Sequence, residues 1–234
     1  VVLDNYFYSI DYQQQIIQKA YRLGCIDDFK DRPIVCDLLI NPSVSEQEPL
    51  PLVEAKTKLL GLPWALLRKE FRNTPHQPIP SSLATICFGG ADPLNITTAA
   101  LHELLTEGLI AQQDLRVLFH VDEAAKDQLH ALAQEYHISH VVDIQGYIPR
   151  TQILEVMHQS SILLVLTTTS TPEGTHGIMG TKFFENIGIE KPILCVRSDE
   201  ECLADAIQKT HAGLAATSVE EVKTFIMEKY QEWL

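Results

Sequence analysis

Two loops carry the residues whose types and spacing point to ligand chemistry. The first is Phe88-Gly-Gly-Ala-Asp-Pro-Leu-Asn95, which ends an apolar run and precedes Ile-Thr-Thr. Gly89 and Gly90 have no side chains, so a ligand can approach the backbone closely there. Asn95 or Thr97 can cap the helix that follows, whose first N–H groups then suit a phosphate-sized anion. The same residues would also make an ordinary strand-to-helix turn. The second loop, residues 167–180, reads TTTSTPEGTHGIMG and leads into Thr-Lys-Phe-Phe-Glu185. It exceeds the roughly 2–6 residues of most strand-to-helix connections, and long loops in compact domains tend to be functional. Thr168, Gly180 and Thr181 belong to this small-residue, hydroxyl-rich stretch and its exit. Lys182 falls in the first helical turn, where a cation opposes the helix dipole and an anionic ligand would give it a reason. Glu185 lies one turn on and can accept hydrogen bonds from vicinal hydroxyls, as on a ribose. The alternative is a solvated Lys182–Glu185 i,i+3 pair.

A third stretch, Gly146-Tyr-Ile-Pro-Arg150, offers backbone around Tyr147 to a base edge and Arg150 to a phosphate, or is a turn with a solvent-facing arginine. Asp27-Asp28 and Asp31-Arg32 read as paired charges in a turn. His130, His137 and His140 have no usable metal spacing. The chain contains no Walker loop, G-x-S-x-G elbow, H-E-x-x-H or zinc pattern, so neither a metal nor a cofactor is expected.

The elements that must position these residues follow from the apolar pattern. The first part reads strand 1–3, helix 12–20, strand 22–26 and strand 36–40. The run KTKLLGLPWALLRKEF, 56–71, follows with no element assigned. Asn73 to Ser82, NTPHQPIPSS, holds three prolines that forbid helix or central strand, and marks a linker. Beyond it, continuous apolar strands alternate with helices: strands at 83–88, 115–121, 140–144, 162–166, 192–196 and 213–215, and helices at 96–106, 123–136, 151–159, 181–189, 200–209 and 219–233. That alternation predicts a doubly wound parallel six-stranded α/β sheet, in the order 3-2-1-4-5-6. The expected domains are a partial Rossmann-like domain over 1–72, a linker over 73–82 and a Rossmann-like ligand-binding domain over 83–234. The first domain has too few strands for a complete sheet, and its front half is expected upstream of residue 1. In such sheets ligands bind beyond the carboxyl ends of the strands, where the strand order reverses. Both long loops converge there.

Composition narrows the partners. The chain has 234 residues and a net charge of −13, which disfavours nucleic acid while leaving room for one small anion. No apolar run reaches the roughly 18 residues of a membrane span. The start lacks the basic n-region of a signal peptide. Five cysteines without a C-x-x-C read as buried free thiols, which fits a cytoplasmic protein.

From about His120 onward the chain resembles the donor-binding half of family 4 glycosyltransferases of the GT-B type. The stretch that carries this is Gly180-Thr-Lys-Phe-Phe-Glu-Asn-Ile-Gly-Ile-Glu-Lys-Pro-Ile-Leu194. The resemblance implies that Glu185 binds donor ribose and that a basic residue near the loop meets the diphosphate. A second glutamate common in that family, eight positions earlier, is Gly177 here, and Glu173 is out of register. Residues up to about 115 resemble instead the UDP-sugar hydrolase of the pseudaminic acid pathway, also GT-B, through Asp31-Arg32, Cys36-Asp-Leu-Leu-Ile-Asn41, the run 59–71 and Phe88-Gly-Gly-Ala-Asp-Pro-Leu-Asn95. The glycine-rich motif with that family's catalytic histidine has no counterpart here. The two resemblances meet within the strand at 115–120, so the chain reads as a natural hybrid or an engineered chimera. Three functional expectations follow: a glycosyltransferase binding a UDP- or GDP-sugar, a UDP-sugar hydrolase, or a folded domain inactive on its own.

Overall fold

A computed structural model of the chain describes residues 1–4, 7–29, 32–44, 47, 49–71, 84–88, 95–166, 181–196 and 201–234. They form two compact units, one over Val1–Leu66 and a second that begins at Leu67 and carries the larger sheet.

The first unit is a four-stranded parallel sheet in the order β1 (Val2–Asp4), β2 (Gly24–Ile26), β3 (Ile34–Asn41), β4 (Val53–Leu60). Helix α1 (Ile10–Lys19) joins β1 to β2, and its first turn is capped by Ser9, whose Oγ accepts from Tyr12 N at 3.3 Å. Leu3, Leu23, Cys25, Ile34, Cys36 and Leu39 bury the interior of this unit. β4 was not expected. It buries Val53 and Leu60 while Glu54, Lys56, Thr57 and Lys58 stay exposed, as suits the edge of a sheet.

The second unit is the predicted doubly wound sheet. Its order is β10 (Gly213–Ala216), β9 (Ile193–Val196), β8 (Ile162–Leu166), β5 (Ala84–Phe88), β6 (Leu115–His120), β7 (Val142–Gln145), every neighbouring pair parallel. The intervening helices are α2 (Ile96–Thr106), α3 (Glu123–Glu135), α4 (Arg150–Gln159), α5 (Thr181–Ile189), α6 (Glu201–Thr210) and α7 (Val219–Trp233). Strand order reverses between β5 and β8, as the sequence pattern implies. Val117, Phe119, Ile162, Leu164 and Leu194 from the sheet meet Leu101 and Leu104 of α2 and Val222, Phe225 and Ile226 of α7. α2 and α7 are also joined by Lys223, whose Nζ donates to Glu103 Oε2 at 2.8 Å and Glu107 Oε1 at 3.1 Å; both carboxylates raise its pKa. Cys25, Cys36 and Cys195 are buried and form no disulfide.

The helix ends are built by local chemistry. Asp122 caps α3 through Ala125 N at 2.9 Å, and Ser218 and Glu221 form a capping box at α7. Backbone and side-chain donors of Thr217, then of Ser218, lower the Glu221 pKa below the ordinary value of 4.5. A lowered folded-state pKa means the box stabilises the helix above the unfolded value and loses that contribution as pH falls through the folded one. A side-chain NMR titration should therefore place the Glu221 midpoint below 4.5; a midpoint above that value would contradict the box.

Candidate functional site

The carboxyl edge of the six-stranded sheet collects most of the described candidate residues. Asn95 stands at the N-cap position of α2 with a left-handed backbone, φ 58°, yet its side chain makes no capping bond. Thr97, in the first turn, is buried, and its Oγ1 has no hydrogen-bond partner among the described residues. Tyr147 follows β7 and is 77% exposed. Lys182 is exposed in the first turn of α5, and Thr181 begins that helix. Gly89, Gly90, Thr168 and Gly180 lie outside the described residues, as do the loop 167–180 and the linker 73–82. So does the side chain of Arg150.

Glu185 is the best-defined of these residues. It lies one turn into α5, with a side chain only 12% exposed. It is not the solvated partner of Lys182 that helical spacing allows. Arg68 donates Nε–H to its Oε1 at 2.7 Å, and Arg68 Nη2 lies 2.6 Å from the same oxygen. No described residue bonds the other carboxylate oxygen. Phe183 is buried on the other side of α5, while Ile189, four residues after Glu185 and on the same face, is buried against Phe71.

Sequence reasoning missed Arg68, because it lies 117 residues from its partner. The visible signal was a charged triplet, Arg68-Lys-Glu70, between the apolar residues Trp64-Ala-Leu-Leu67 and Phe71. Residues 67–71, read from sequence as the tail of the first domain, pack on the second unit. The 3₁₀ turn Lys69–Phe71 buries Phe71 beside Met157, Leu163 and Ile189. Gly188 allows that approach, since a Cβ there would lie 2.9 Å from Phe71 O and 3.1 Å from Leu67 Cδ2. The Arg68 guanidinium stacks over the Phe71 ring at 4.8 Å.

His120, at the end of β6, was also missed. Its Nδ1 lies 3.0 Å from Gly146 O, so it ties the end of β6 to the loop that carries Tyr147. A carbonyl only accepts, so Nδ1 holds the proton in this contact. Its buried Nε2 has no partner among the described residues.

The first unit has its own cavity of about 260 Å³, lined by Leu3, Tyr8, Gln13, Cys25, Asp27 and Arg32 among others. Asp27 is 1% exposed and ion-pairs with Arg32, as the turn of paired charges suggested. Its Oδ2 has no hydrogen-bond partner among the described residues. Among the described residues no cluster of three or more His, Cys, Asp or Glu side chains could hold a metal. Among the described residues no helix is long and apolar enough to cross a membrane.

No protein-family model matches the chain, and no curated protein does. Solved structures do. WaaG, a glycosyltransferase involved in lipopolysaccharide biosynthesis, superposes with a TM-score of 0.59 at 13% identity, over 94% of this chain and 74% of that one. A variant of S. aureus TarM in complex with fondaparinux, α-GlcNAc-glycerol and UDP gives 0.58 at 9% identity, over 90% of this chain and 44% of that one. MurG of Acinetobacter baumannii gives 0.54 at 10% identity, over 95% and 62%. The chain has the GT-B fold. It spans about three quarters of WaaG and less than two thirds of TarM and MurG. The GT-B likeness covers both parallel sheets, so the two sequence resemblances on either side of residues 115–120 fall on one architecture. Neither the hydrolase resemblance nor a chimera gains support from these neighbours.

Proposed function

We propose that this chain is the nucleotide-sugar-binding part of a GT-B glycosyltransferase, and that its donor is a UDP-linked sugar, with GDP as the alternative base. The observation that carries this reading is Glu185: a nearly buried carboxylate, one turn into the helix after β8, with Oε2 unbonded among the described residues. That placement suits the vicinal hydroxyls of a ribose beside the point where strand order reverses. TarM, which shares the fold, was solved with UDP. Asn95, Tyr147, Thr181 and Lys182 would surround the same ligand, joined by Gly89, Gly90, Thr168 and Gly180. Lys182 and the N-termini of α2 and α5 would stabilise the departing diphosphate electrostatically. A UDP-sugar hydrolase would use the same nucleotide half with water as acceptor. That alternative rests on the sequence of the first 115 residues alone.

Calorimetric titration with UDP, then GDP, tests the reading. Saturable binding of UDP is expected, and Glu185→Ala should weaken it by roughly 1.5–3 kcal/mol, the loss of a charge-assisted hydrogen bond. That corresponds to about 10- to 150-fold in Kd. Absence of binding by folded protein would sink the nucleotide assignment. Unchanged affinity in Glu185→Ala would remove Glu185 from the site.

A further inference from the structure

We infer that Arg68 is a positioning residue of the nucleotide site, holding Glu185 by one carboxylate oxygen so that the other is presented to the ribose hydroxyls. The inference rests on the nucleotide reading above and adds a residue that neither spacing nor fold likeness assigns.

The geometry is specific. A guanidinium usually meets a carboxylate with two nitrogens on two oxygens. Here both Arg68 nitrogens converge on Oε1, at 2.7 and 2.6 Å. This leaves the lone pairs of Oε2 for another donor, and an acceptor-only group is what a diol requires. A glutamate on a helix surface otherwise samples several rotamers, and fixing one before the ligand arrives lowers the ordering cost of binding.

Arg68 is itself held. Its guanidinium lies on Phe71, which is buried at 3% exposure against Met157, Leu163 and Ile189. The segment reaches α5 closely only because residue 188 is glycine. The chain therefore seats 67–71 on α4 and α5, which stacks Arg68, which orients Glu185. In this arrangement the segment between the two sheets contributes to donor affinity without touching the donor.

Four proteins test this: wild type, Arg68→Ala, Arg68→Lys and the double variant Arg68→Ala/Glu185→Ala. Each is titrated with UDP and with 2′,3′-dideoxy-UDP, beside Glu185→Ala. Arg68→Ala is expected to weaken UDP binding about tenfold, while the double variant binds no worse than Glu185→Ala, because contacting residues couple. Arg68→Lys should recover only part of the loss, since an ammonium lacks the planar fork. Dideoxy-UDP should bind Arg68→Ala and wild type equally. A general structural role would weaken both nucleotides alike and make the two substitutions additive, and either result overturns the inference. Tighter UDP binding by Arg68→Ala would also overturn it, since the guanidinium would then compete with the ribose. If Arg68→Ala is unfolded by circular dichroism, Arg68→Gln takes its place in the cycle with the same expectations. A loss in Glu185→Ala with none in Arg68→Ala defeats the inference alone. No loss in Glu185→Ala defeats the ribose reading and the inference with it.

Discussion

Arg32→Ala is expected to destabilise the first unit by about 3–5 kcal/mol, the range found when one partner of a buried ion pair is removed. Asp27 lies 1% exposed at the end of β2, and Arg32 is the cation paired with it. Arg32 stands just ahead of β3 and stacks over Phe29 at 4.6 Å, so it also closes the crossover between two parallel strands. Without it, a carboxylate already short of one hydrogen bond must either stay charged in an apolar site or take up a proton. Both routes favour opening the connection between β2 and β3. Hydrogen exchange at Cys25, Asp27 and Val35, whose amides lie in or beside these strands, reads the opening free energy of this unit by itself. Replacing Asp27 as well, by Asn, should restore most of the loss. A single variant within about 1 kcal/mol of wild type would mean that the pair is solvated and weak.

Gly213→Ala is expected to cost about 3 kcal/mol or more. Gly213 opens β10 opposite Ile193, with φ 157°. A methyl group there would collide with the Ile193 carbonyl oxygen and press on the same residue's N and C at 2.7 Å. These are backbone atoms of a buried strand, bonded on through Ile193 N to Ala212 O at 2.8 Å, so no side-chain rotation relieves the clash. β10 would have to separate from β9 and take with it the support of α7. For a chain of this size the loss should lower Tm by roughly 6–12 °C. Gly108 provides the contrast. It has φ 68° and nothing within 4 Å of an added Cβ, so alanine there meets only the left-handed backbone cost of about 1–2 kcal/mol. Equal shifts at the two positions would show that backbone conformation, and not collision, sets the penalty.

Much of the larger sheet was legible in the sequence. Ile162-Leu-Leu-Val-Leu166 is a continuous apolar run, and each strand after 83 is followed by a helix with its own periodicity. Parallel order then follows from a rule about crossovers. The first unit was less legible for physical reasons. β1 and β2 are three residues each, too short to show a period. β4 carries Glu54, Lys56, Thr57 and Lys58 because an edge strand can expose them, and that hides its apolar positions. At the site, Glu185 could be picked out because helical spacing and hydroxyl-rich flanks are local. Arg68 could not, since its contact with Glu185 exists only once Phe71 has settled against α5. His120 and Thr97 show the same limit: a valine strand or a helix turn looks identical in sequence whether its polar atom is satisfied or orphaned.

The strand order of the second unit has a consequence for synthesis on the ribosome. β5 is made first, yet it lies inside the sheet, between β6 and β8. Its pairing with β6 can form early, but its other edge must wait until α2, α3, α4 and β8 have all left the exit tunnel. Throughout that interval a nascent chain displays an unpaired strand edge, the surface most open to wrong pairing. Holdase chaperones are therefore expected to engage this chain between the emergence of β6 and that of β8, and to release it once the second edge is covered.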